Sequence, residues 1–161
     1  MRTLIIIPVL LFSLLLGVPS YSADFNKGLT AAQSGDFATA LKEWKPLAEE
    51  GNAAAQNNLG LMYHNGWGVP QDDKEAVYWY RLAGEQGYAN AQSNLANRYY
   101  YGEGVNKDIV YAHMWKNISA SNGIESAREE LKIIEKKMTS SHISEAQRLA
   151  RECVKKNYKG C

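Results

Sequence analysis

An internal duplication constrains this chain more than any other feature. NAAAQNNLGLMYHNGWGVPQDDKEAVYWYRLAGEQG (Asn52 to Gly87) aligns without a gap over YANAQSNLANRYYYGEGVNKDIVYAHMWKNISASNG (Tyr88 to Gly123), and 13 of the 36 positions are identical. The identities include both Ala-Gln pairs, Leu59 and Leu95, Tyr63 and Tyr99, both Gly-x-Gly-Val runs, Trp79 and Trp115, and the closing Gly87 and Gly123. A period of this size marks one supersecondary unit copied in tandem, and such units must stack because none covers its own apolar surface.

Each unit reads as two helices. Ala55, Leu59, Met62 and Tyr63 form one amphipathic stripe, and Ala76, Trp79, Tyr80 and Ala83 form the next at i, i+3, i+4 and i+7. Gly87 then stops the run as a C-terminal cap. Small alanines alternate with large aromatics, so the helices can approach closely, and Trp79 and Trp115 read as core. The expected fold is all-α.

Between the two helices lies YHNGWGVPQDD. Gly66 and Gly68, and Gly102 and Gly104 in the second copy, supply positive-φ conformations, while Val69 and Val105 can turn inward to plug the bend. Asp72 and Asp108 precede a helical stripe, where a carboxylate caps the first turn and meets the positive end of the helix dipole. A phosphate-binding loop would need a preceding strand and either a third glycine or a Lys-Ser/Thr pair, and neither is present.

The flanks read as divergent copies. In Phe25 to Gly51, Gly28 precedes the turn Gly35-Asp36, and Phe37, Ala40, Trp44 and Leu47 follow at helical spacing. After Gly123, SAREELKIIEKKM reads as one helix with Ala127, Leu131, Ile134 and Met138 on one side. A last helix, capped by Ser141, is expected from about His142 to Lys156.

Ahead of the repeats, Arg2 is followed by an uncharged apolar run from Leu4 to Val18, shorter than the roughly 20 residues of a membrane span. Small residues follow, so residues 1–23 read as a secretory signal peptide, with cleavage after Ser22 or Ala23 both open and Ala23 favoured. The remaining 138 residues suit one domain. Net charge is +1, which points to neither a nucleic-acid binder nor a polybasic membrane ligand. Asp24 to Gly123 carry 8 Lys/Arg against 11 Asp/Glu, and Ile124 to Cys161 carry 9 against 6. The signs are interleaved in this mildly basic tail, as on a solvated helix face.

Cys153 and Cys161 are the only cysteines, and export would allow them to pair. A bridge is expected, fastening an end that would otherwise fray. No Cys-x-x-Cys occurs, and His64, His113 and His142 stand outside any ligand set, so no metal or cofactor is expected.

AAAQNNLGLMYHNGWGVPQDDKEAVYWYRLAGEQG resembles the SEL-one-like repeat (SLR), a tetratricopeptide relative with a glycine elbow of the form G-x-G-V-x-x-D. The second copy departs from the first with Ala96 at the Gly60 position, Lys116 at the Tyr80 position and Ser119 at the Ala83 position. Phe25 to Gly51 is more similar to an ordinary tetratricopeptide unit. The resemblance implies a right-handed α-α superhelix of about four helical hairpins: an N-terminal one over 24–51, repeats over 52–87 and 88–123, and capping helices over 124–161. It also implies a periplasmic or secreted interaction protein.

Some cysteine-rich members of that family are described as β-lactamase-like or penicillin-binding, which makes a cell-wall-linked enzyme the rival reading. Serine acyl transfer of that kind needs Ser-x-x-Lys with Ser-Asp-Asn and Lys-Thr-Gly elements, and the sequence has none of them. A non-enzymatic scaffold is therefore the expectation. Its concave wall, built from the first helix of each pair, would present Asn57, Leu61, His64 and Asn65, then Ser93, Asn97, Tyr100 and Tyr101, with Arg98 nearby. Asparagine can meet both the donors and the acceptors of a peptide backbone, and tyrosine offers a rigid amphipathic contact. The partner is expected to be a protein or peptide, not nucleic acid, with no stable membrane insertion after signal cleavage, and the chain is expected to be a monomer.

Overall fold

The computed structural model describes residues 22–161, so the signal-peptide reading of residues 1–23 falls almost wholly outside the described residues. Among the described residues run eight helices and no strand: α1 (Phe25–Gln33), α2 (Phe37–Glu49), α3 (Ala53–Asn65), α4 (Asp73–Gly84), α5 (Ala89–Tyr101), α6 (Ile109–Ser121), α7 (Glu125–Glu135) and α8 (Ser140–Lys155). α1 packs on α2, α3 on α4 and α5 on α6, and α2–α3, α4–α5 and α6–α7 contacts join the pairs into an α-α superhelix.

The stripes read from the sequence become the core. Ala55, Ala76, Ala91 and Ala112 are wholly buried, and their lack of side-chain bulk lets Leu59, Tyr80, Leu95 and Trp115 interdigitate between neighbouring helices. Trp79 is buried in a core cluster with Trp44, Leu59 and Met62. Tyr80 lies so close over Gly60 that a β-carbon there would sit 2.5 Å from its ring, and Trp44 covers Gly28 in the same way. Glycine at these two positions is what brings the paired helices together.

The elbows combine two requirements. Gly66 and Gly102 terminate α3 and α5 in the left-handed conformation, at φ of 70° and 77°. Gly68 and Gly104 also have positive φ, and both press on the unit before: an added β-carbon would meet the Phe37 carbonyl oxygen at 2.9 Å, or the Asp73 carbonyl oxygen at 2.0 Å. Val69 and Val105 pack inward on the core, and Asp72 and Asp108 cap α4 and α6 by accepting two backbone N–H bonds each. The segment between the helices is thus a bend that also keys one repeat onto the next.

The paired Gln56 and Gln92 do parallel work. Gln56 Nε2 donates to the Ala48 carbonyl at 3.0 Å, and Gln92 Nε2 donates to the Gly84 carbonyl at the same distance. Their side-chain oxygens accept from Gln86 at 2.7 Å and from Asn122 at 2.9 Å. Each amide therefore bridges the ends of two second helices from its place at the start of a first helix.

The C-terminal segment departs from the expected pattern. α7 continues the array as the first helix of a further unit, with Ala127 and Leu131 standing 36 residues after Ala91 and Leu95. It ends at Glu135 rather than reaching Met138, because Lys137 and Met138 turn back in short bonds to Ile134 and Glu135. α8 is capped by Thr139, whose hydroxyl accepts from His142 N–H at 3.2 Å, so the helix starts two residues before the expected Ser141-capped one. α8 packs on α6 and not as a hairpin partner of α7. Cys153 is joined to Cys161, with 5.6 Å between the α-carbons, and the bridge draws the tail back onto α8.

Candidate functional site

The first helices, α3, α5 and α7, line one side of the stack, and a 380 Å³ groove runs between them. Asn57 and Leu61 come from α3, Ser93, Asn94 and Asn97 from α5, and Glu130 from α7. Asn94 Nδ2 donates to Asn57 Oδ1 at 3.0 Å, which ties the first two helices together across the groove. Next to it opens a 220 Å³ recess formed by Tyr100 and Tyr101 with Ile133 and Ile134. Asn97 and Glu130 belong to both and form the neck between them.

Beneath the neck lies Lys116. Its side chain is wholly buried, and its ammonium donates to Ser93 O at 3.2 Å, Ser93 Oγ at 2.9 Å, Asn97 Oδ1 at 2.7 Å and Glu130 Oε2 at 2.6 Å. Burial holds its pKa below the ordinary lysine value, and the bond and charge of Glu130 work against that shift. Ser119, which replaces an alanine of the first copy, donates to the Ala89 carbonyl at 2.8 Å. Both polar substitutions in the second copy are therefore bonded to the first helix they face.

The residues read from the sequence as concave separate into three places. Asn57, Leu61, Ser93 and Asn97 line the groove, and Tyr100 and Tyr101 line the recess. Tyr101 is the most open, with 63% of its surface exposed, and it meets Tyr100 edge to face at 5.0 Å between ring centroids. His64 and Asn65 lie outside the groove. His64 Nδ1 stands 2.8 Å from Asp73 Oδ1 with the Arg98 guanidinium against its ring, and Arg98 pairs with Glu103 at 2.7 Å. This cluster of His64, Asp73, Arg98 and Glu103 braces α3 against the start of α4 and the second elbow. Asn65 donates to the Leu61 carbonyl of its own helix.

The sequence reading of the concave wall missed Asn90, Asn94, Ile124, Ser126 and Glu130 in the groove and Lys116 beneath it. Lys116 carried a signal, since a lysine on an apolar stripe must find oxygen partners on the helix it faces. Nothing in the local pattern pointed to Glu130, which the packing of α7 on α6 brings into place. His113 is buried on α6 and meets Glu135 at 2.9 Å, again across to α7. Among the described residues, no group of three or more His, Cys, Asp or Glu could hold a metal ion, and no helix is long and apolar enough to cross a membrane.

Comparison with known families decides what array this is. The Sel1 repeat family model matches residues 53–88 and 89–124, the same period in a frame one residue later than the one read from the duplication. The chain is a Sel1-repeat protein. No curated protein matches it. Among solved structures it is similar to a protective antigen present in uropathogenic Escherichia coli strains that displays an SLR fold, at 31% identity and a TM-score of 0.77, over 83% of this chain and 30% of that one. It is also similar to a Sel1 repeat protein from Oxalobacter formigenes, at 30% identity and a TM-score of 0.64, over 67% of this chain and 44% of that one. The chain thus spans less than half the length of either relative. Sel1 repeats build protein-interaction scaffolds, and this Sel1-repeat chain has the architecture of one.

Proposed function

We propose that this Sel1-repeat protein is an exported, non-enzymatic scaffold that holds an extended segment of a protein or peptide partner in the groove over α3, α5 and α7. The observation that carries the reading is the groove itself: it is lined by a row of asparagines and adjoins an aromatic and aliphatic recess through Asn97 and Glu130. Repeat arrays curve as they stack, and the extended inner wall is the surface they use. A second groove, between α6 and α8, is lined by Ile118, Ala150 and Val154 and has no comparable row of amides to fix a backbone. Export is supported by the charged and apolar N-terminal run and by the Cys153–Cys161 bridge, since disulfides persist in oxidising compartments.

Affinity capture with the purified protein tests the groove. Partners held by the wild type should be lost from an Asn97→Ala, Tyr101→Ala double variant that keeps its helical circular dichroism. Equal recovery of every partner by both forms would sink the reading. Fractionation of cells producing the full chain tests export, and a product confined to the cytoplasm would count against it.

A further inference from the structure

One position of the repeat holds Trp44, then Tyr80, then Lys116. The two aromatics lie over glycines; at the third site Ala96 replaces the glycine, and a lysine takes the narrower space with its side chain wholly buried. Packing alone does not account for this choice, because an apolar side chain of similar volume is generally at least as stabilising as a buried ion. The ammonium does, however, determine what its neighbours can offer. It has three donors and no lone pair, so the atoms it faces must be oxygens. Asn97, with Oδ1 held by Lys116, is left with its NH2 group to give a ligand. Ser93 Oγ already accepts from Lys116, which leaves its O–H as a donor. Glu130 keeps its second oxygen as an acceptor.

We propose that Lys116 is the positioning residue of the groove, and that the polarity it imposes selects the backbone of an extended polypeptide. Ser93 and Asn97 donate to carbonyl oxygens of that segment, Glu130 accepts one of its N–H groups, and a large apolar side chain two residues along seats between Tyr100, Tyr101 and Ile133. This rests on the groove reading above. An unpaired extended chain carries a carbonyl and an N–H at every residue, which matches donors and an acceptor placed side by side. Charge points the same way: Lys116 and Glu130 neutralise each other, so the neck suits an uncharged backbone rather than a free carboxylate or a lysine head group. The recess suits a single Leu, Ile, Phe or Met, and two of the residues that line it, Tyr101 and Ile133, are large apolar groups left 63% and 55% exposed.

The probe is a random nonapeptide display library panned on the wild-type protein, followed by fluorescence anisotropy with the enriched peptide carrying fluorescein. Four variants are titrated: Lys116→Met, Lys116→Tyr combined with Ala96→Gly, Asn97→Ala, and Lys116→Met combined with Asn97→Ala. The Tyr/Gly pair restores the packing of Tyr80 over Gly60, and Lys116→Met preserves the volume of the stem. At least one should therefore melt like the wild type and report on binding alone. Both should bind about tenfold more weakly, and Asn97→Ala should cost about tenfold in the wild type but less than about twofold once Lys116 is Met, because Lys116 acts through Asn97. Enriched peptides should share one large apolar residue, and changing it to Ala should release them. Wild-type affinity in a folded Lys116 variant, or an equal Asn97→Ala cost in both backgrounds, overturns the positioning role and leaves the groove reading standing. A library that enriches nothing overturns both.

Discussion

At the scale of single residues, two glycines that look alike in the sequence differ in what a side chain would cost. Gly123 has φ +100° with open space around its missing β-carbon, so Gly123→Ala meets only backbone strain, about 1 to 2 kcal/mol. Gly104 has φ +71°, and its β-carbon would stand 2.0 Å from the Asp73 carbonyl oxygen, so the same change must also push the second elbow off α4. Gly104→Ala is expected to cost more than about 3 kcal/mol by urea unfolding. A pH test applies to Lys116. Its folded-state pKa lies below the ordinary 10.5, so between that lowered value and 10.5 the unfolded chain binds more protons than the folded one. Burying the ammonium therefore costs the fold most below the lowered value, and the cost is relieved as pH rises towards 10.5. Stability of the wild type measured against Lys116→Met should accordingly improve from pH 7 to pH 10, and a constant difference would show that the group is not desolvated. Glycines and capping aspartates were legible because backbone conformation is a local demand. The fates of His64 and Lys116 were not, since each depends on which oxygens a separate helix brings near.

At the scale of elements, the period carried more information than the stripes. Sequence periodicity placed the helices of both repeats and their elbows, because a duplicated unit repeats its boundaries along with its core. It also contained α7, through Ala127 and Leu131, although an ordinary amphipathic reading of that stretch missed the register and ran the helix on to Met138. α8 shares no register with the repeats, and its packing on α6 was not legible, since an apolar face does not say which partner it will find. The Ala-Gln pairs were visible as identities, but their role needs three helices in view. Gln92 is wholly buried with both ends of its amide bonded, to the Gly84 carbonyl and the Asn122 amide. Gln92→Leu keeps the volume and strips both bonds, leaving a carbonyl and an amide without their partners at the joint between repeats. The expected loss is about 2 to 3 kcal/mol. Thermal melting of this variant beside Asn122→Ala, which removes only one of the two bonds and should cost less, checks that the bridge and not the side-chain shape is responsible.

At the scale of the whole molecule, the stack is sealed differently at its two ends. The C-terminal end is closed by α8, by Tyr158 lying over the Gly87 turn, and by the Cys153–Cys161 bridge, which spans a separation of only 8 residues. So small a loop restricts the unfolded chain little, and Cys153→Ser with Cys161→Ser should cost no more than about 2 to 3 kcal/mol in a urea titration. The N-terminal end is held by charge. Asp24 caps α1 with its side chain, and its backbone N–H donates at 3.0 Å to Glu43 Oε2, a wholly buried carboxylate that also meets Lys27. Glu43 occupies the repeat position of Trp79 and Trp115, where an apolar residue would serve packing better. Cleavage after Ala23, as expected from the sequence, would give this exception a physical reason. Cleavage there would turn the Asp24 N–H into a free α-ammonium, and an amide bond to a buried anion would become an ion pair. The processed chain should therefore have the mass of residues 24–161, and Glu43→Gln should lower its stability by about 2 to 3 kcal/mol, a charged hydrogen bond being worth more than a neutral one. The same substitution in a chain that retains Ala23 should cost measurably less, because there the donor is only an amide. Equal costs in the two chains would mean that the α-ammonium adds nothing to the amide bond on Glu43, and a processed mass beginning elsewhere would remove the ion pair altogether.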